Sequence, residues 1–155
     1  EAMESPRWPG AVGLCAAGPP WRANEAMRAE RLSRTRRIQH AGHVSDAQLA
    51  GLYRGAACVV VPAIAEGFGL PIIETQQAGA PLVCSDIAVF REVAGAGALY
   101  FDPHRPHQLA EQIAAAIDPV VRAGLITAAA ENLQRFSSDR APAQVVALYR
   151  AAAAG

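Results

Sequence analysis

The sequence predicts an α/β domain built on a doubly wound parallel sheet, and three observations carry that prediction. Short apolar or β-branched runs alternate with longer amphipathic stretches along the whole chain, the signature of βαβ units. The length of 155 residues suits a single domain. A composition of 52% apolar and 18% charged residues excludes intrinsic disorder. A chain of this size buries roughly 70% of its unfolded surface, so it needs no disulfide or metal to hold a core.

Taken in order, residues 1–10 (EAMESPRWPG) show no periodicity and are expected to be irregular. They lack the charged start and apolar core of a signal peptide and carry no initiator methionine, so the chain reads as a fragment or a processed form. Apolar runs predict strands over 12–16, 37–40, 58–61, 82–85 and 98–101. The stretches between them predict helices over 22–34, 46–54, 71–78, 89–93, 106–117, 119–134 and 139–152. Three helix starts are marked: Ser45 and Gln48 form a capping box, Asp118 precedes Pro119, and Ser137 or Ser138 precedes the last helix. There is no internal repeat, and only the final AAAAG is low in complexity.

Charge and cysteine usage remove several function classes. Fourteen basic residues balance fourteen acidic ones, which leaves no basic stripe for nucleic acid. Every basic residue is arginine, so a Schiff base, a P-loop lysine and a lysine general base are all excluded within the chain. Cys15, Cys58 and Cys84 are odd in number and lie far apart in apolar runs, which reads as buried, reduced thiols of a cytoplasmic protein. The longest apolar stretch, 56–65, is half of the roughly 20 residues a membrane helix needs. The pairs His40/His43 and His104/His107 have H-x-x-H spacing, but a strand points such a pair to opposite faces and Pro106 interrupts the second, so no metal site is expected. Arg28, Arg31 and Arg34 share one helical face, which reads as solvated or as a docking face for anionic lipid or a partner domain.

The chemistry is concentrated in 58–74, CVVVPAIAEGFGLPIIE. An apolar strand runs into a glycine-containing loop, and a helix opens at Pro71. In an open parallel sheet such a loop lies at the carboxyl edge, where ligands bind. Gly67 and Gly69 allow close backbone approach. With Pro71 first in the helix, Leu70 is the expected N-cap, and a leucine cannot accept the orphan amide protons. Those amides and the positive helix end suit a phosphate. Glu74, about 6 Å along the helix, would reach a ribose attached to it, and Glu66 flanks the loop from the other side.

The run Glu66-Gly67-Phe68-Gly69-Leu70-Pro71 with a second glutamate at Glu74 resembles the Glu-x7-Glu motif of the retaining GT-B-type glycosyltransferases of group 1. The stretches 41–63 and 81–103, and HQLAEQI after them, resemble the same family in the same order, so the resemblance covers 11–150. It implies that 11–155 is the Rossmann-like, nucleotide-sugar-binding C-terminal half of a two-domain enzyme, without its first strand-helix unit. Glu66 would take the catalytic position at the transferred sugar, with the backbone of Gly67, Phe68, Gly69 and Leu70 meeting the distal phosphate and sugar. Glu74 would hold the ribose hydroxyls, and the turn Gly42-His43-Val44 would contact the base through its main chain.

The resemblance implies a sugar-nucleotide donor and an acceptor-binding N-terminal half outside this chain, while the lack of an Asp-x-Asp motif or a ligand cluster near the loop predicts no cofactor or metal. A glycan, lipid-linked or small-molecule acceptor is expected, with the enzyme in the cytoplasm and, for a lipid-linked acceptor, peripheral at the inner membrane face. The family's arginine and lysine for the diphosphate fall on the absent unit, Ala63 stands where serine is frequent, Gln76 and Gln77 replace small or apolar residues, and Ser138 replaces a frequent tryptophan. The competing expectations are a non-catalytic nucleotide-sugar-binding module, a partner-docking module of the same fold, and a GT-B relative that cleaves or isomerises a sugar nucleotide.

Overall fold

A computed structural model describes residues 1–19, 38–136, 149–150 and 152. The strands are β1 (Leu14–Ala17), β2 (Ile38–Gly42), β3 (Val59–Val61), β4 (Leu82–Ser85) and β5 (Leu99–Phe101). The helices are α1 (Asp46–Gly55), α2 (Leu70–Gln77), α3 (Ala88–Ala94), α4 (Pro106–Ala116) and α5 (Pro119–Leu133), followed by a 3-10 turn at Gln134–Phe136. All five expected strands are present, and these five helices match expectation closely. The expected helix over 22–34, with its arginine face, lies outside the described residues, as does almost all of 139–152 with its serine start.

Every ladder is parallel, as the βαβ alternation requires. The strands form two sheets, β1-β2 and β3-β4-β5, instead of one continuous ladder. In the larger sheet Val59 pairs with Leu82, and Val83 with Leu99, which makes β4 central. Its four residues are all buried, whereas β2 leaves Gln39, His40 and Ala41 exposed. A central parallel strand must be apolar on both faces, and LVCS satisfies this with a single hydroxyl.

Successive residues of β4 serve opposite faces. Val83 joins Phe101, Ile113, Ala116 and Leu125 on one side, and Leu82 and Cys84 join Ile72, Phe90 and Val93 on the other. Burying each large aliphatic or aromatic side chain contributes about 1.5–3 kcal/mol. The first ten residues are more ordered than expected. Ala2–Glu4 form a 3-10 turn, Met3 and Trp8 enter the first cluster, and the Trp8 indole N–H donates to the Val12 carbonyl at 2.9 Å. Arg7 pairs with Glu111 on α4.

The three cysteines are free thiols, but only Cys84 is fully buried; Cys58 is half-buried and Cys15 is exposed. The correction at Cys15 has a simple cause, because β1 alternates and its odd positions face outward. Burial pushes the thiols of Cys84 and Cys58 up to about 12 and about 11.

Gln76, a departure from the family pattern, is 3% exposed and hydrogen-bonded through both its amide nitrogen and its amide oxygen. Its Nε2 donates to the Ala94 carbonyl at 3.0 Å, and its Oε1 accepts from Asn132 Nδ2 at 2.9 Å. Asn132 also donates to the Val93 carbonyl at 2.8 Å, and its Oδ1 accepts from Arg135 at 2.9 Å. The network joins α2 and α5 to the last carbonyls of α3, groups that a helix end otherwise leaves orphaned. Gly97 makes the approach feasible, since a Cβ there would lie 2.6 Å from Gln76 Nε2 and 2.8 Å from Ala129 Cα. Asn132→Ala strands the Gln76 oxygen and the Val93 carbonyl in the interior. It should destabilise the chain by about 1–3 kcal/mol, read as a lower urea midpoint at unchanged slope.

Candidate functional site

At the carboxyl end of β3 the chain leaves the sheet through Pro62 and enters a loop that ends at Gly69. The helix begins one residue earlier than the sequence suggests. Gly69, not Leu70, is the N-cap of α2, Leu70 is its first residue, and Pro71 is second. The cause is steric. Gly69 has φ +91°, in the left-handed region, and a Cβ there would sit 2.9 Å from Phe90 Cε1. Left-handed backbone costs other residues about 1–2 kcal/mol before that clash is counted. Among the described residues no side chain caps this end. The Ile72 amide donates to the Gly69 carbonyl at 2.9 Å, Pro71 has no amide hydrogen, and the Leu70 N–H has no backbone partner among the described residues.

Glu66 and Glu74 are both exposed, the usual state of a glutamate. Glu66 Oε1 accepts from the Gly67 amide at 2.9 Å, so in this state one of the loop's amides is covered by the loop's own carboxylate. Phe68 is 45% exposed and meets Phe136 edge to face, with ring centroids 6.1 Å apart. Leu70 is exposed. Glu74 becomes the fifth helical residue, still about 6 Å from Leu70 along the axis.

The turn Gly42-His43-Val44 lies at the carboxyl end of β2. Gly42 has φ +67° and accepts from the Gly18 amide at 2.9 Å; His43 is exposed and Val44 half-buried. The turn leads into α1, whose capping box is formed: Ser45 Oγ accepts from the Gln48 amide and Gln48 Oε1 from the Ser45 amide. The last turn of α1 then touches the other half of the site, because Tyr53 OH donates to Glu74 Oε2 at 3.2 Å. Tyr53 and Phe136 are the contacts that sequence reasoning missed. A phenol on the final turn of an amphipathic helix was the available signal for Tyr53, whereas nothing local marks Phe136.

Burial, then the nearby Glu74 charge and the hydrogen bond to it, push the Tyr53 phenol up to about 12. Beyond β4, Arg91 grips Asp86 through two hydrogen bonds of 2.6 and 2.8 Å and lies over the Tyr100 ring, 4.3 Å from its centroid. These hydrogen bonds hold the Asp86 carboxyl below its ordinary range. Among the described residues no three metal-ligating side chains gather. The site therefore offers a free helix tip, a glycine loop and two carboxylates on one loop-helix unit, with the Gly42 turn joined to it through α1.

Residues 10–141 match the family described as glycosyl transferases group 1. The O-antigen chain mannosyltransferase B of Escherichia coli is 32% identical over 122 residues, 78% of this chain and 32% of that protein. The D-inositol 3-phosphate glycosyltransferase of Acidothermus cellulolyticus is 32% identical over 109 residues, 69% of this chain and 24% of its own length. The chain thus spans a third or less of these curated relatives. Among solved structures, the sucrose-phosphate synthase of Thermosynechococcus elongatus superposes with a TM-score of 0.74 at 27% identity, over 91% of this chain and 38% of that one. Anabaena HepE in complex with UDP does so with a TM-score of 0.80 at 21% identity, over 94% and 42%. The α/β architecture is that of GT-B glycosyltransferase structures.

The Tyr53 contact predicts a titration. Folding raises this phenol from 10.0 to about 12, so its contribution to stability is complete below pH 10 and is lost as pH climbs through 12. In ultraviolet titration of the native chain, the component absent from Tyr53→Phe should ionise near 12. Glu74→Gln should move it toward 10 without reaching it, since burial remains.

Proposed function

Because the chain belongs to the glycosyl transferases group 1 family, we propose that it is the donor-binding half of a retaining glycosyltransferase that moves a hexose from a nucleotide-sugar to an acceptor. The observation that carries this reading is the Glu66–Leu70 loop, which opens an uncapped helix tip with an exposed carboxylate on each side. The diphosphate of the donor sits at that tip, where the amides of Gly69 and Leu70 and the helix dipole meet the negative charge that grows as the glycosidic bond breaks. Glu74 accepts hydrogen bonds from the ribose hydroxyls. Glu66 turns from the Gly67 amide to hydroxyls of the transferred sugar, which releases that amide to the phosphate. The main chain of Gly42, His43 and Val44 meets the base.

The acceptor-binding half lies in the part of the protein beyond this chain, in keeping with the share of the relatives it spans. An O-antigen mannosyltransferase among the relatives supports a role in polysaccharide assembly, and the UDP held by HepE supports a nucleotide-sugar donor. The enzyme works in the cytoplasm, against the inner face of the membrane where a lipid-linked acceptor is presented. It needs no cofactor or metal, since oriented amides supply the electrostatic stabilisation.

Calorimetry with UDP-, GDP- and ADP-sugars, with and without EDTA, tests the donor site in the enzyme with its acceptor half. One of the three should bind and EDTA should change nothing. Charge-assisted hydrogen bonds are worth about 1.5–3 kcal/mol each, so Glu74→Ala should weaken that donor by roughly tenfold to a hundredfold. Full affinity in a folded Glu74→Ala variant would sink the ribose assignment. Glu66→Gln should lower kcat more than it raises the donor KM, the pattern of an interaction strongest in the transition state. A raised KM with kcat intact would show that Glu66 serves binding alone.

A further inference from the structure

The geometry points to Tyr53 as a positioning residue for the donor: its phenol holds one oxygen of Glu74, so that the other is presented to the ribose. This inference rests on the reading of Glu74 as the ribose ligand. Glu74 stands on the outward face of α2, and an exposed glutamate samples several rotamers that a ligand must first restrict. Here a half-buried phenol on a neighbouring helix reaches it. Tyr53 OH donates to Oε2 at 3.2 Å, and Oε1 has no partner among the described residues. Fixing one oxygen of a planar carboxylate leaves only rotation about that contact for the other.

The placement of Tyr53 follows from α1. Side chains on a helix lean toward its N-terminus, so a tyrosine on the last turn of α1 projects back toward the carboxyl edge of the sheet, where the Gly42 turn begins the same helix. One element therefore carries the expected base contact at its start and the brace for the ribose contact at its end. Its two ends are set in a fixed relation by a rigid helix of ten residues. The phenol stays protonated across the physiological range, with its pKa pushed up to about 12, and so remains a donor to the carboxylate.

The test compares UDP, GDP and ADP with their 2′,3′-dideoxy counterparts, titrated calorimetrically into the full-length enzyme and its Tyr53→Phe, Glu74→Gln and double variants. Phenylalanine keeps the ring and removes only the hydroxyl. For the nucleotide that binds, Tyr53→Phe should weaken the ribose form about threefold to tenfold and leave the dideoxy form unchanged, with melting temperature held within a few degrees. In the Glu74→Gln background the same change should have little further effect, because the two residues act as a unit. Unchanged ribose affinity in Tyr53→Phe beside a loss in Glu74→Gln overturns the positioning role and leaves the donor site standing. Equal loss for ribose and dideoxy forms also overturns it, since Tyr53 would then act on the fold. Failure of the unmodified enzyme to distinguish ribose from dideoxyribose, or to bind any of the three, defeats the reading of Glu74 and this inference with it.

Discussion

The orientation of α2 depends on two buried side-chain amides. Gln76 and Asn132 bond to each other and to the carbonyls of Val93 and Ala94, so α2, α3 and α5 meet at one satisfied polar point inside an apolar cluster. Gln76 and Ile72 are four residues apart and share the inward face. Leu70, Glu74 and Gln77 are thereby turned outward, and all three are exposed. The face that offers a carboxylate to solvent is thus set by what the opposite face must bury. Partial satisfaction of such a network would be costly, because each buried amide group left unpaired forfeits its hydration without return.

The loop ahead of α2 is governed from the same cluster. Phe90, fully buried on α3, occupies the space where a side chain at residue 69 would go. Glycine there serves two needs at once, a left-handed backbone and clearance over an aromatic ring. The result is a helix whose first turn has no side-chain cap, at the edge of a parallel sheet where strands end and ligands enter. Structural packing and an exposed helix tip are therefore two aspects of one arrangement.

The chain handles positive charge without lysine. Several of its described arginines are engaged with structure: Arg91 with Asp86 and Tyr100, Arg122 with the Ala57 carbonyl, and Arg135 with Asn132 and the Glu92 carbonyl. A guanidinium suits such forked contacts with carboxylates and backbone oxygens. At the Glu66–Leu70 loop the described residues present peptide groups fixed by a packed helix. Peptide dipoles held in place by a packed helix need no reorganisation when charge develops.

Local pattern by itself determined the order and kind of the strands and helices among the described residues, the Ser45 and Asp118 caps, and the loop that carries Glu66 and Glu74, because strand alternation, helix capping and turn chemistry act over a few residues. Only the tertiary structure decided the contacts between elements distant in sequence. It moved the cap from Leu70 to Gly69, since Phe90 comes within 2.9 Å of the position a Cβ would occupy. It made Gln76 a buried partner of Asn132, 56 residues away, and set Tyr53 against Glu74 across 21 residues. It drew Met3 and Trp8 into the core while leaving Cys15 outside. Each of these outcomes depends on which surfaces meet once the chain is packed, and periodicity along one segment carries no information about the segment that will lie against it.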